Sequence, residues 1–131
     1  MHKPSLIQKQ SAFTLVEIMI VVAIIALLAA IAVPNYMRAR KRSQYTRIVE
    51  DVRVLSAALD QYAQENNAAS GTVVSFDDLK NYLKTGTTLY TGSGTDIFGD
   101  SYGPFTVDDG PYFPVGAWME LSDVVPNGGL N

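Results

Sequence analysis

Phe13 to Val33, FTLVEIMIVVAIIALLAAIAV, sets the architecture of this 131-residue chain. The run is 21 residues long and carries one charge, Glu17. A helix needs about 20 apolar residues to cross a bilayer, so the stretch is expected to be a membrane span. From Ile18 to Val33 every side chain is apolar, and Ala26 and Ala30 stand at the small-xxx-small spacing that lets helices approach closely in lipid. Pro34 ends the run. It lacks a backbone N–H and clashes with the preceding turn, which predicts a kink or local break.

Residues 1–12, MHKPSLIQKQSA, are polar and basic, as in a secretory leader. The apolar run exceeds the 7–15 residues of an ordinary signal h-region and no A-x-A-like site follows it. The span is therefore expected to remain in the mature chain. Glu17 needs its own account, because an acid at the centre of a membrane helix costs roughly 2.5–3.5 kcal/mol on insertion scales. Near a helix end the cost falls, so Glu17 is either an interfacial acid without a partner or one half of a pair with a cation of another subunit.

The residues Ala12-Phe13-Thr14-Leu15-Val16-Glu17, followed by an apolar helix, resemble the leader-peptide junction of type IV pilins and type II secretion pseudopilins. The chain departs from that pattern in having Ala12 where the family usually has Gly. The resemblance implies cleavage between Ala12 and Phe13 by a prepilin peptidase, and methylation of the new Phe13 amine. It also implies subunit assembly through Glu17, paired with the Phe13 amine of a neighbour, and local melting of the helix at Pro34. The partners implied are further copies or related pilin-like subunits, the prepilin peptidase/methyltransferase and inner-membrane lipid. The implied location is the bacterial inner membrane, crossed once, with the C-terminal part extracytoplasmic and later in a filament.

Beyond Pro34 the composition changes. Five basic residues, Arg38, Arg40, Lys41, Arg42 and Arg47, follow the span, against Lys3 and Lys9 before it. Positive-inside counting would put the C-terminal part in the cytoplasm; the junction motif implies the reverse orientation, which is the expectation taken here. The basic cluster then meets lipid headgroups or acidic neighbours. Tyr45, Ile48, Val52, Leu55, Leu59 and Tyr62 recur by threes and fours, and no Gly or Pro interrupts 35–65. That spacing predicts an amphipathic helix packed on its own domain rather than a coiled coil. Four parts are thus expected: a leader at 1–12, the membrane helix at 13–34, the amphipathic helix at 35–65 and an acidic, loop-rich β domain at 66–131.

In that last part Asn66-Asn67 and Gly71 read as a helix stop. Ser75 with Asp78 three residues on reads as a capping box opening a short helix, Phe76 to Leu83. Thr85–Thr95 reads as loop with one extended piece at Leu89-Tyr90. Asp96-Ile97-Phe98-Gly99 through Tyr102 is similar to the Asp-Pro-Trp-Gly…Tyr element of pseudopilins, with Ile97 and Phe98 in place of Pro and Trp. Strands are expected at Tyr102–Val107, Tyr112–Pro114 and Ala117–Leu121, with an acidic turn at Asp108–Pro111 and prolines 104 and 114 at strand ends. The fold class expected is α+β: a long N-terminal helix packed on a small C-terminal antiparallel sheet with one short helix.

Charge and residue inventory narrow the function. Residues 66–131 hold Lys80 and Lys84 against eight acids, which argues against binding a phosphate backbone. The one histidine, His2, lies in the leader and there is no cysteine. No nucleophile–base set, P-loop or histidine pair is present, so no enzyme is expected. The one metal to weigh is calcium, on the hard oxygen donors Asp96, Asp100, Asp108, Asp109 and Asp123. Neither cluster fits the EF-hand pattern; resemblance to major pseudopilins, which use calcium where many pilins use a disulfide, supplies the idea. The function expected is a structural subunit of a type II secretion pseudopilus or type IV pilus-like filament. The alternative is a membrane-anchored extracytoplasmic binding module, or a minor pilin acting in adhesion or DNA uptake.

Overall fold

A computed structural model describes residues 1, 2 and 12–126. The leader expectation for 1–12 rests on residues that lie almost wholly outside that set, and so does the end of the tail, 127–131. The chain divides into two units, Met1–Met37 and Arg38–Asn131.

In the first unit the apolar run is helical. Helix α1, Leu15–Asn66, begins there and carries Pro34 inside it. The helix assignment continues through Pro34, although the proline cannot donate to the carbonyl four residues back, that of Ala30. From Phe13 to Val33 the side chains are exposed, as expected of a surface that faces lipid. By length and composition α1 is suited to crossing a membrane.

The second unit is built around the rest of α1. Ile48, Leu55, Ala58 and Leu59 are buried on one face, and Tyr45, Val52 and Tyr62 pack beside them. The three-four spacing of the sequence is therefore the core stripe. α1 stops in a Schellman arrangement: Asn67 takes a left-handed φ of 48° and the Ala68 N–H donates to the Ala63 carbonyl at 3.0 Å.

The remaining elements are short. β1, Val73–Val74, pairs antiparallel with β2, Phe105–Thr106, in the register Val73 to Thr106 and Val74 to Phe105. α2, Phe76–Leu79, runs into a 3-10 turn, Lys80–Tyr82. Its cap is the one read from sequence, with the Asp78 N–H donating to Ser75 Oγ at 3.3 Å. The Ser75 hydroxyl in turn donates to the Asp78 carboxylate at 2.7 Å. α3, Thr88–Thr91, and α4, Val115–Leu121, complete the chain. Leu79, Leu83, Leu89, Tyr102, Phe105, Val107, Ala117 and Leu121 close the core over α1.

The α+β architecture with a long apolar helix and a small antiparallel sheet is present, with three corrections. Ala117–Leu121 is helical. Ala117 and Leu121 are buried at 0 % and 1 % while Met119 between them is 72 % exposed, so the period is four and not two. Ala, Met, Glu and Leu favour helix, and Pro114, with its fixed φ, precedes the first turn. Leu89-Tyr90 is also helical, because Thr87 caps that turn by accepting from the Tyr90 N–H at 3.3 Å. The sheet is smaller than expected: only Phe105–Thr106 of Tyr102–Val107 is strand, Tyr112–Pro114 is not, and the partner strand is Val73–Val74. Pro104 does stand at a strand end. The acidic turn is where expected, with Asp108 at φ 69° and Gly110 at φ 78°.

Candidate functional site at the head of the apolar helix

Ala12, Phe13 and Thr14 precede α1 without helical structure, and Ala12 and Phe13 are exposed, Phe13 by 81 %. A bond between exposed, non-helical residues is what a peptidase can draw into its active site. Two residues on, the helix begins with a reciprocal cap. The Thr14 backbone N–H donates to Glu17 Oε2 at 2.8 Å, and the Glu17 N–H donates to Thr14 Oγ1 at 3.3 Å. Thr14-x-x-Glu17 is thus a capping box, which satisfies two of the amides that a helix start leaves open. A carboxylate in the first turn also faces the positive end of the helix dipole. Only Oε2 is engaged in the cap among the described residues.

Glu17 is thus neither an acid without a partner nor one that depends on another subunit for its first contact: Thr14 is a local partner, and Thr-x-x-Glu is its signal in the sequence. A cap serves any helix, so the presence of Glu17 does not by itself separate a filament subunit from a simple anchor.

The five aspartates weighed for calcium fall in three places: Asp96 with Asp100, Asp108 with Asp109, and Asp123. Asp96 is buried, and its Oδ1 accepts from the N–H groups of Phe98 at 2.8 Å and Asp100 at 2.9 Å, closing a tight turn. Its Oδ2 has no hydrogen-bond partner. The Asp100 carboxylate lies against Gly116, where a Cβ would come within 1.9 Å of Oδ2. Asp109 accepts from the Tyr112 hydroxyl within the Asp108–Gly110 turn. Asp123 pairs with Lys41 of α1 at 2.9 Å, a contact that holds its carboxyl below the usual range. Among the described residues no three His, Cys, Asp or Glu side chains come together as a metal site.

One polar contact ties α1 to the turn beyond Asp96. Tyr102, 0 % exposed, donates its hydroxyl to Asp51 Oδ2 at 2.9 Å. Burial first, and the Asp51 carboxylate second, push the Tyr102 phenol far above its ordinary range. A pocket of about 70 Å³ beside it is lined by Arg47, Asp51, Thr88 and Asp96 among others.

Comparison with known proteins agrees with the geometry at the helix head. A prokaryotic N-terminal methylation motif matches residues 7–33. A type II secretion system core protein G of Aeromonas hydrophila is 38 % identical over 74 residues, covering 56 % of this chain and 52 % of that protein. A fimbrial protein of Pseudomonas aeruginosa is 41 % identical over 85 residues, covering 65 % of this chain and 55 % of its own. A type II secretion system core protein G from the same species is 42 % identical over 65 residues, covering 50 % and 46 %. The chain spans about half the length of the relatives it matches. No solved structure matches.

Proposed function

We propose that the chain is a structural subunit of a pseudopilus or pilus-like filament, on the strength of an N-terminal methylation motif over residues 7–33 and of its likeness to type II secretion core proteins G and fimbrial proteins. Prepilin peptidase cuts between Ala12 and Phe13, the Phe13 amine is methylated, and the mature chain waits in the inner membrane on its apolar helix. Its C-terminal domain lies outside the cytoplasm. Related subunits are its partners, and its role is mechanical rather than catalytic. The observation that carries this reading is the head of α1: an exposed, non-helical junction followed at once by an acid at the start of an unburied apolar helix.

The cap leaves Glu17 Oε1 available, so one carboxylate can close its own helix and meet a neighbour's amine. The capping box also suits the second reading, an anchored module that never polymerises, and the charge of Glu17 separates the two. Glu17→Gln keeps an oxygen for the Thr14 amide but loses the charge. In the filament reading Glu17→Gln and Glu17→Ala both enter the membrane yet fail to co-pellet with sheared filaments, whereas Thr14→Ala still assembles. Normal incorporation of Glu17→Gln would refute docking through this acid and leave the anchor reading. A reporter fused after residue 65 tests orientation, and activity in the cytoplasm would overturn it.

A further inference from the structure

Four basic residues stand at the start of the second unit, and their arrangement decides between lipid headgroups and acidic neighbours as what they meet. Arg38, Arg40 and Arg42 are exposed, and none of the three makes an ion pair among the described residues. Lys41 is half-buried and committed to Asp123. At roughly 100° per residue, Arg38 and Arg42 share one flank of α1 while Arg40 lies on the opposite flank. Lys41 falls between, near the direction of Ile48 and the core. The arginines therefore form a collar around the helix rather than a stripe along it. A protein docking from one side would meet one flank of it. A layer of phosphates surrounding the helix would meet both.

The position along the chain fits such a layer. Arg38 to Arg42 follow the last residue of the apolar run, Val33, by five to nine positions. Side chains on a helix lean toward its N-terminus, here toward the span, and arginine stems are long enough to carry their charge back to an interface. Tyr36, 67 % exposed, adds an aromatic ring of the kind enriched at membrane interfaces. The rest of the unit has the opposite sign, with four basic residues against twelve acidic ones over 43–131. An anionic bilayer would repel that part and attract only the collar.

We infer that Arg38, Arg40 and Arg42 form a binding site for the phosphates of anionic phospholipid headgroups, holding the acidic domain at the bilayer surface with its collar end down. The inference rests on the membrane reading above, but not on filament assembly and not on which leaflet is met.

The test uses the full chain in nanodiscs of phosphatidylcholine with a minority of phosphatidylglycerol, counting by native mass spectrometry the lipids that stay bound on release. Phosphatidylglycerol is expected to be enriched over its share of the bilayer, and its binding constant relative to phosphatidylcholine is expected to fall about five-fold for each arginine changed to glutamine. Raised salt should weaken it as well. Lys84→Gln, an exposed lysine outside the collar, should leave it unchanged. Equal retention of both lipids, or an enrichment that survives Arg38→Gln/Arg40→Gln/Arg42→Gln, overturns the inference. So does a triple variant that retains lipid normally but no longer co-pellets with filaments, which would assign the collar to a second copy. Carbonate extraction of the same samples keeps the membrane reading separate: a chain that extracts as a soluble protein refutes the anchor itself. Filaments that assemble normally from a triple variant without lipid preference support the collar.

Discussion

Tyr102→Phe removes one oxygen and leaves the shape of the core intact, so it isolates the bond to Asp51. Tyr102 is fully enclosed and its hydroxyl lies 2.9 Å from Asp51 Oδ2, while Asp51 is half-buried. A hydrogen bond to a charged acceptor contributes about 1.5–3 kcal/mol; with Asp51 partly reached by water, about 2 kcal/mol is expected at neutral pH. The alkaline limb adds a second measure. A tyrosine in the unfolded chain ionises near pH 10, whereas folded Tyr102 stays protonated well above that. Above about pH 10 the unfolded state has lost a proton that the native state keeps, so stability drains away as pH rises, by about 1.4 kcal/mol per pH unit for one proton. Tyr82 and Tyr112 are also raised, by Glu65 and Asp109, but they are present in both proteins and cancel in the comparison. Guanidinium unfolding of the full chain in detergent reads both effects. The signal is Trp118, the one tryptophan, which meets Phe113 edge-on at 6.4 Å. Tyr102→Phe should unfold at lower denaturant at pH 7 and show a shallower loss of stability above pH 10. Equal midpoints at pH 7 with parallel alkaline limbs would refute the bond as a support of the fold.

Gly116→Ala places a methyl group 1.9 Å from Asp100 Oδ2; the carboxylate must swing aside, and with about 1 kcal/mol of helix propensity gained over glycine the net cost in the same assay should be at most about 1 kcal/mol. Adding Asp100→Ala should return most of it, because the two residues share one contact. Lys41→Met should raise the pH at which the Asp123 carboxyl titrates by NMR, since Lys41 is the main cause of its low value. The sign follows from that depression: the pair's support is present above the ordinary carboxylate pKa, about 3.9, and is lost as pH falls through the folded value. Calcium and a chelator should give the same melting temperature, since Asp96, Asp109 and Asp123 each serve a different contact. A clear rise in calcium would mean that these acids rearrange into a site.

The long-range frame was legible because it rests on periodic patterns. A 21-residue run whose only polar side chains are Thr14 and Glu17 is long and apolar enough to cross a membrane, and Ile48, Leu55 and Leu59 keep the spacing that buries them. The cap at Ser75 was legible because capping chemistry is local. The errors lie where a short pattern fits two periods. Ala117, Met119 and Leu121 alternate as a strand would, yet Ala117 and Leu121 also stand four apart, and burial chose the latter. Val73–Val74 became a strand through pairing with Phe105–Thr106, and two residues carry no period of their own. At the helix head Thr14 and Glu17 spell a capping box as local as the one at Ser75, so that contact too is legible in the sequence. Asp51 and Tyr102, 51 residues apart, meet only once the chain has folded.

The unbroken course of α1 has a mechanical consequence. Between Leu15 and Asn66 no non-helical residue intervenes, so a pull on the apolar end finds no slack loop to straighten. Tension is carried by backbone hydrogen bonds until one rung gives way. The rung already missing is the one that Pro34 cannot donate, so the helix should lengthen there first. The residues that fill the core, from Ile48 onward, begin more than a dozen positions later. Extension at the proline would thus absorb a load before the packing of the domain feels it.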